Sequence, residues 1–408
     1  MKRRGFWITL CLLNLCIVAL LGMSLRTKFL FPLQFIDYKN LLSAHSHFAF
    51  GGWATLALMI LYIDNLLSVG QKQKRIYQSL LWGIEITSVG MLFTFPFEGY
   101  APLSIIFSTA FIFITYVFSW IFIRDLWEAK KEKSVSLLST LALLSLVISS
   151  IGPFTLAYIM ATNTGSAFLY RDAIYTYLHF QYNGFFTLSV FALFFNQLLV
   201  SMNDGTRRRM WYFSLSLCLS IVPALFLSLL WHGYNIWSRA IAIAACALIT
   251  ISLMFFFAIA FNRKIYAQYV SPLAKILLIG SLVSFVIKML LQMGTIIPAL
   301  GNAVFGYRPI IIGFLHLVFL GLVSFYIFSD FLEAGKFVKG KRISTAIACF
   351  AGAVILNETI LLIEGIGLML QSTNQAYPLL LWIASIGLVA STLWIFIARL
   401  RSEKLVAR

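Results

Sequence analysis

The stretch AHSHFAFGGW at residues 44–53 places two histidines, His45 and His47, at the head of a long apolar run. The chain contains five histidines, and the other three are His179, His232 and His316. Each of them lies in an apolar segment or at its end. Because neutral imidazole is a common ligand of haem iron and of copper, these five side chains are the first candidates for chemistry in the sequence.

The elements that carry the histidines follow from composition. Of the 408 residues, 61% are hydrophobic and 11% are charged, whereas a soluble domain carries about 25% charged residues. An apolar run of about 20 residues crosses a bilayer as one helix, so we expect an all-α integral membrane protein that forms one domain over residues 1–408. The twelve predicted spans are 6–25, 42–68, 77–97, 102–123, 135–161, 174–202, 210–231, 237–261, 271–297, 308–330, 343–368 and 378–399.

The positions of the basic residues predict the orientation of the twelve helices. Most of the 31 Lys and Arg residues fall in alternate loops and at the two termini. The positive-inside rule places these loops and both termini in the cytoplasm, and we interpret the first run as a retained helix of a multi-pass protein of a bacterial-type inner (plasma) membrane. Topology thus explains the net charge of +17, and the expected partner is the lipid bilayer rather than nucleic acid.

This topology places all five histidines in the outer half of the membrane, on predicted helices 2, 6, 7 and 10. Successive residues rotate by about 100° around a helix, so His45 and His47 should point to nearly opposite faces and cannot share one metal. A single histidine near a helix end is often only hydrogen bonded. Five at one depth favour haem or metal, because polar groups inside a bilayer are costly and are usually functional.

Small and polar residues accompany these histidines. Gly51 lies four residues after His47, and this spacing gives room either to a flat macrocycle or to a neighbouring helix. Tyr182 and Asn183 lie three and four residues after His179, where they could orient a metal ligand or a bound water.

The distribution of histidines over helices 2, 6, 7 and 10 resembles subunit I of the haem-copper oxidases, including the nitric oxide reductases. AHSHFAFGG is similar to the HxH-plus-glycine haem motif of that family, which normally lies on helix 10. LHFQYNGFF, at 178–186, is similar to the helix 6 segment of the reductases, and WHGYNIW, at 231–237, to the helix 7 segment. The resemblance implies haem ligands on helices 2 and 10 and ligands to a second metal on helices 6 and 7.

The sequence departs from that family at several positions. Helix 7 has one histidine where the family has two, helix 10 has one where HxH is expected, and position 183 is asparagine where the reductases have glutamate. The chain is also similar to the twelve-helix haem- and copper-containing proteins of the nitric oxide response, which carry HxH beside glycines.

The resemblance implies a haem b held between His316 and either His47 or His45. His179 and His232 would lie near a second, weaker site for copper, non-haem iron or a small ligand. A quinol or a separate subunit would donate the electrons.

Arg171, Arg239 and Arg308 lie at the outer mouths of the helices. They could pair with haem propionates through charge-assisted hydrogen bonds or serve as interfacial anchors.

Further charges fall inside apolar runs, at Glu85, Lys288 and Glu358. Such residues mark proton paths in many membrane proteins, and a structural salt bridge from Lys288 to one of the glutamates is the alternative.

Three functions agree with these features. The first is a redox enzyme of electron transport, an oxidoreductase of the haem-copper oxidase type. The second is a non-catalytic haem protein that responds to nitric oxide or helps to assemble an oxidase. The third is a proton-coupled transporter.

Overall fold

The computed structural model describes residues 2–31, 37–162, 164–199, 202–232, 235–337, 341–372 and 374–406. Every regular element in these ranges is a helix, so the predicted all-α class is confirmed. Residues 233 and 234 of the helix 7 motif, and residues 338–340 of one predicted cytoplasmic loop, lie outside the described residues.

Twelve long helices account for most of the described chain. Short helices at Val69–Lys72, Arg263–Ala267 and Pro298–Gly306 lie in the connections between them. The long helices are α1 (Lys2–Leu30), α2 (Tyr38–Leu66), α3 (Arg75–Glu98), α4 (Pro102–Glu128), α5 (Lys133–Thr162), α6 (167–198), α7 (Asp204–His232), α8 (Ile236–Ala260), α9 (Pro272–Gly294), α10 (Arg308–Glu333), α11 (Lys341–Met369) and α12 (Tyr377–Val406).

Among the described residues, eleven of these helices are long and apolar enough to cross a membrane. The remaining one is α6, whose polar residues His179, Gln181 and Asn183 reduce its hydropathy. The expected multi-pass architecture is therefore confirmed for eleven helices, and a twelfth crossing by α6 stays a prediction.

The connections that carry most of the basic residues gather at one end of the bundle, which we call the cationic end. Lys74 forms an ion pair with Asp125, at 2.7 Å between Nζ and Oδ2. Lys131, between α4 and α5, donates to Asn196 Oδ1 near the end of α6 at 3.3 Å. Alternate loops thus share one side of the molecule, as the charge distribution predicts.

Three helices, α2, α6 and α10, each contain a π-helical segment, at Ala49–Thr55, Phe180–Phe186 and Leu317–Ser324. Each segment begins within two residues of a histidine. A π segment displaces backbone carbonyls from their usual partners, and hydroxyls satisfy two of them here. Thr187 Oγ1 donates to the Tyr182 carbonyl at 2.5 Å, and Ser324 Oγ donates to the Phe319 carbonyl at 2.7 Å.

The three π segments meet through one phenylalanine each: Phe50, Phe186 and Phe319. Their ring centroids are 4.4 Å apart for Phe50 and Phe319, 4.8 Å for Phe186 and Phe319, and 5.7 Å for Phe50 and Phe186. All three side chains are buried. This aromatic junction holds α2, α6 and α10 together at the centre of the bundle.

The three central helices are packed differently along their length. Toward the cationic end nearly every residue is buried, in segments 48–63, 179–195 and 318–331. Toward the other end most residues are half-buried or exposed, in segments 38–47, 167–178 and 308–317. The second half, which we call the histidine half, is therefore less buried than the first.

Candidate functional site

The first candidate ligand, His45, lies on the face of α2 that meets α1. Its Nδ1 is 3.1 Å from the Val18 carbonyl oxygen, a distance suited to donation of an Nδ1–H. A Cβ placed on Gly22 would lie 3.2 Å from His45 Cε1, so the ring occupies space that this glycine leaves free. Among the described residues, none forms a hydrogen bond with Nε2. The ring is thus oriented through one nitrogen and available through the other.

The second candidate, His316, lies in the last turn of α10 before its π segment. Its Nδ1 is 3.4 Å from Asn357 Nδ2 and 3.9 Å from Glu358 Oε1, both on α11. Asn357 Nδ2 also donates to Glu358 Oε1 at 2.9 Å, so the amide and the carboxylate form one pair beside the ring. The His316 side chain keeps 28% of its surface exposed although it lies well inside the helix, so open space adjoins it.

His45 and His316 are close enough to interact electrostatically with each other and with Arg26 of α1. These two imidazoles, from α2 and α10, thus lie within electrostatic range of each other. Each has Nδ1 turned toward protein, and no described residue binds either Nε2. At His45 this is the usual arrangement of metal-binding histidines, in which an Nδ1–H hydrogen bond to an acceptor fixes the tautomer and the ring orientation. At His316 the Asn357 amide nitrogen is the donor and Nδ1 accepts.

Arg26 was missed by the sequence analysis, although it belongs to this group. Its Nη2 atom is buried, and no described residue accepts a hydrogen bond from it. Its electrostatic neighbours are Glu364, Tyr38, Arg308 and Glu358. A buried guanidinium nitrogen without an acceptor is costly, so an anionic group of a ligand would be stabilised there.

The three predicted propionate partners divide into two places. Arg308 donates to the Tyr38 hydroxyl, with its guanidinium carbon 4.7 Å from the ring centroid, in the surroundings of Arg26. Arg171 instead lies 4.5 Å from the Trp231 ring centroid, and Arg239 begins α8. Of the three, Arg308 is the one within electrostatic range of Arg26.

His47 points away from His45, as the predicted rotation requires. Its ring stacks on Phe95 of α3, with centroids 4.5 Å apart and planes 2° apart, and its Nε2 is 3.0 Å from the Tyr100 hydroxyl. Burial raises the pKa of the Tyr100 phenol, which therefore stays protonated and can donate to His47. Between the two alternatives on α2, the structure favours His45 as the partner of His316.

The glycines after His47 serve helix packing. A Cβ on Gly51 would lie 2.6 Å from Ser88 Oγ and 2.9 Å from Phe111 Cε2, so α2 packs tightly on its neighbours at this position. Of the two roles left open for this glycine, close approach of a helix is the one observed.

His179 belongs to a buried hydrogen-bonded chain. Its Nε2 is 2.8 Å from the Ile221 carbonyl oxygen, and Asn183 Nδ2 donates to its Nδ1 at 3.1 Å. Lys288 of α9 donates in turn to Asn183 Oδ1. Both ring nitrogens are therefore engaged, so binding a metal through His179 would require one of these bonds to break.

The expected salt bridge from Lys288 to a glutamate is wrong. Lys288 faces α6 and hydrogen bonds Asn183, whereas Glu85 accepts a hydrogen bond from Asn14 of α1 at 2.8 Å and Glu358 lies beside His316. These residues share a depth but point in different directions around the bundle. Glu85, Lys288 and Glu358 thus occupy three separate places, and a proton path through them stays a prediction.

His232 lies at the outer end of α7, far along the helix from the packed centre. Its Nε2 is 2.6 Å from Asp172 Oδ2 of α6, and Trp231 Nε1 donates to Asp172 Oδ1 at 3.1 Å. Phe168 stacks on the His232 ring with centroids 5.4 Å apart. This cluster joins α6 to α7, and His179 does not take part in it.

Within the described residues, no group of three or more His, Cys, Asp or Glu side chains is close enough to hold a metal ion. A second metal bound by His179 and His232 therefore stays a prediction that needs a rearrangement of both residues.

Comparison of the sequence with models of known protein families and with curated proteins finds no match. The site must therefore be interpreted from its own geometry. Its candidate groups are the His45 and His316 imidazoles and the Arg26 Nη2 atom, from which no described residue accepts a hydrogen bond.

Proposed function

We propose that the chain is a multi-pass membrane haem protein whose single haem b is held by His45 and His316. One observation carries this proposal: His45 on α2 and His316 on α10 lie within electrostatic range of each other, and no described residue hydrogen bonds either Nε2. The bound haem would supply reversible one-electron chemistry. The chain's own residues fix the two rings and exclude bulk water from the cationic side.

Each neighbouring residue has a definable part in this arrangement. The Val18 carbonyl fixes the His45 tautomer, and Gly22 gives its ring room. Asn357 and Glu358 orient His316. Arg26 Nη2 would donate a hydrogen bond to a haem propionate.

The central position of helices 2, 6 and 10 supports a relationship to subunit I of the haem-copper oxidases and the nitric oxide reductases. We propose the same topology for this chain, with both termini in the cytoplasm of a bacterial-type inner membrane. The complete binuclear chemistry of that family is less well supported, because His179 and His232 are committed to other partners in the structure. We therefore favour electron transfer or a response to nitric oxide or oxygen over turnover.

A transporter is the second candidate, because residues of the histidine half are less buried than those of the cationic half. A carrier open to one side would show the same difference. Arg26 would then bind an anionic substrate, and His45 or His316 would bind a proton.

The deciding measurement is a reduced-minus-oxidised optical spectrum with metal analysis of the detergent-purified protein from a haem-replete host. We expect a low-spin haem b signal near one haem per chain. His316→Ala and His45→Ala should each abolish it, and His47→Ala is the matched control that should retain it.

An unchanged spectrum in His316→Ala would contradict the ligand assignment. A colourless, metal-free wild-type protein would contradict the haem proposal itself and favour the transporter.

A further inference from the structure

A lateral groove lies between α8 and α9, and none of His45, His316 or Arg26 lines it. α8 packs on α7, through the Phe213 and Phe256 rings among others, and α9 packs on α10, where Ser281 Oγ donates to the Leu322 carbonyl at 2.7 Å. Because α8 packs on α7 and α9 packs on α10, a gap remains between α8 and α9. The gap has a volume of about 460 Å³.

Apolar side chains form the walls and floor of this groove. Phe256 of α8 contacts Phe285 of α9 at the floor, with centroids 5.2 Å apart. Along α9 the lining runs from Ile279 to Ile287, a length of about 12 Å at 1.5 Å per residue. The lining includes Val283, whose surface is 49% exposed. The groove is thus a long apolar slot open to the side, and its shape suits a hydrocarbon chain.

The end of the groove nearest the cationic end is positively charged. The short helix Arg263–Ala267 crosses this end, and Arg263 and Tyr266 line the groove there. Lys264 is the next residue, and Lys275 Nζ lies 6.0 Å from the Tyr266 ring centroid. The sequence from residue 256 to residue 287 contains no Asp or Glu. A cationic patch without acids therefore adjoins the apolar slot.

A carboxylate outside this stretch, Glu333, is engaged by backbone groups of the same connection. Glu333, at the end of α10, accepts hydrogen bonds from the backbone N–H groups of Val270 and Ser271 at 3.0 and 3.2 Å. It holds the connection between the short helix and α9 in place. Among the described residues, neither Arg263 nor Lys264 forms an ion pair with a carboxylate.

We propose that this groove is a binding site for an anionic glycerophospholipid, with one acyl chain between α8 and α9 and the phosphate at Arg263 and Lys264. Basic pockets between transmembrane helices on the cytoplasmic side bind anionic headgroups by this combination of charge and apolar area. A quinol would place an uncharged, hydrogen-bonding ring at the same end, and it fits the cluster of cations less well. The proposal is independent of haem.

The test is native mass spectrometry of the detergent-purified full chain, titrated with phosphatidylglycerol or with phosphatidylcholine of the same acyl chains. Wild type should bind phosphatidylglycerol about 10-fold or more tightly than phosphatidylcholine. Arg263→Gln with Lys264→Gln should remove this preference. Arg207→Gln with Arg208→Gln is the matched control, because it removes the same charge at the same end outside the groove.

A second variant tests the slot itself. Val283→Trp should weaken both lipids, because the indole fills the space between the helices, and an unchanged elution volume on size exclusion would show that the fold is retained. Equal binding of the two lipids to wild type would overturn the proposal. Loss of the preference in the Arg207 and Arg208 control, or displacement of phosphatidylglycerol by a soluble quinone at equimolar concentration, would also overturn it.

Discussion

The histidine half and the cationic half of the central helices are built from the same three helices but packed in different ways. In the cationic half nearly every side chain is buried, although Gln181 Oε1 and Tyr326 OH have no hydrogen-bond partner among the described residues. On the histidine side the same helices are half-exposed, and the Arg26 guanidinium lacks an acceptor on Nη2 among the described residues. A tightly packed interior stabilises the fold, whereas a cavity lined by oriented polar groups is suited to binding a ligand. Substitutions in the two halves should therefore affect different measurements.

The largest effect is expected from Asp330 in the cationic half. It joins the ends of the three central helices: Asn65 donates to Oδ1 at 3.3 Å, Gln197 donates to the same atom, and Lys336 pairs with Oδ2. Asp330→Ala leaves a buried ammonium without its partner, which costs roughly 3–5 kcal/mol. Thermal unfolding in detergent should show a large loss of stability.

The double variant Asp330→Leu with Lys336→Met is the control for this prediction. It removes both charges, so most of the lost stability should return. If Asp330→Ala unfolds at the wild-type temperature, the packed half does not depend on this ion pair and the contrast between the halves loses its main support.

The next prediction compares an asparagine-to-leucine substitution in the cationic half with one in the histidine half. Asn183→Leu breaks the chain of Lys288, Asn183 and His179 and leaves two buried polar groups unsatisfied, which should cost about 2–3 kcal/mol. Asn357→Leu, beside His316, should cost less, because open space adjoins that ring. Unfolding curves for the two variants measure the difference, and equal losses would show that the histidine half is as tightly packed as the other.

Part of the fold and of the site could be predicted from the sequence. Apolar runs located the helices, and the rotation between His45 and His47 correctly placed the two rings on opposite faces of α2. The partner of Lys288 was predicted wrongly, because residue counting gives depth in the membrane but not the direction in which a helix faces. That direction depends on the packing of α6, α9 and α11 in three dimensions.

Two features of the site left a sequence signal that was not used. Arg26 and Asn14 are polar residues in an otherwise apolar helix, and such residues usually have a role. The π segments left no comparable signal. A π segment requires one additional residue per turn, and here it coincides with the contact of Phe50, Phe186 and Phe319 from three distant parts of the chain. Tertiary packing of this kind is not encoded in a local pattern.

A substitution at Gly22 should separate binding from stability. A Cβ there would lie 3.2 Å from His45 Cε1, so Gly22→Val should displace the imidazole into the open space beside it. Since that space can accommodate the ring, we expect a loss of stability below about 1 kcal/mol, together with loss of most of the haem signal. Haem content per chain and thermal unfolding, measured on one preparation, check both parts.

Gly313 of α10 provides the control, because a Cβ there would make only an ordinary contact, 3.5 Å from Leu361 Cβ. Gly313→Ala should therefore keep both haem and stability. Retention of full haem content in Gly22→Val would contradict the role given to His45.

The smallest effect is expected from Glu358→Gln, which changes the partner of His316 without removing a ligand. A carboxylate near Nδ1 makes the imidazole a stronger donor and stabilises the oxidised iron, and hydrogen bonding around an axial ligand is one of the ways a protein sets the haem potential. The amide should raise the midpoint potential by on the order of tens of millivolts, with haem content unchanged. Glu364→Gln makes the same change of charge two turns further along α11 and should shift the potential less. If both variants shift it equally, Glu358 acts only through its charge. If neither does, the geometry at His316 Nδ1 has no influence on the iron, and the histidine half binds its haem through the two Nε2 atoms alone.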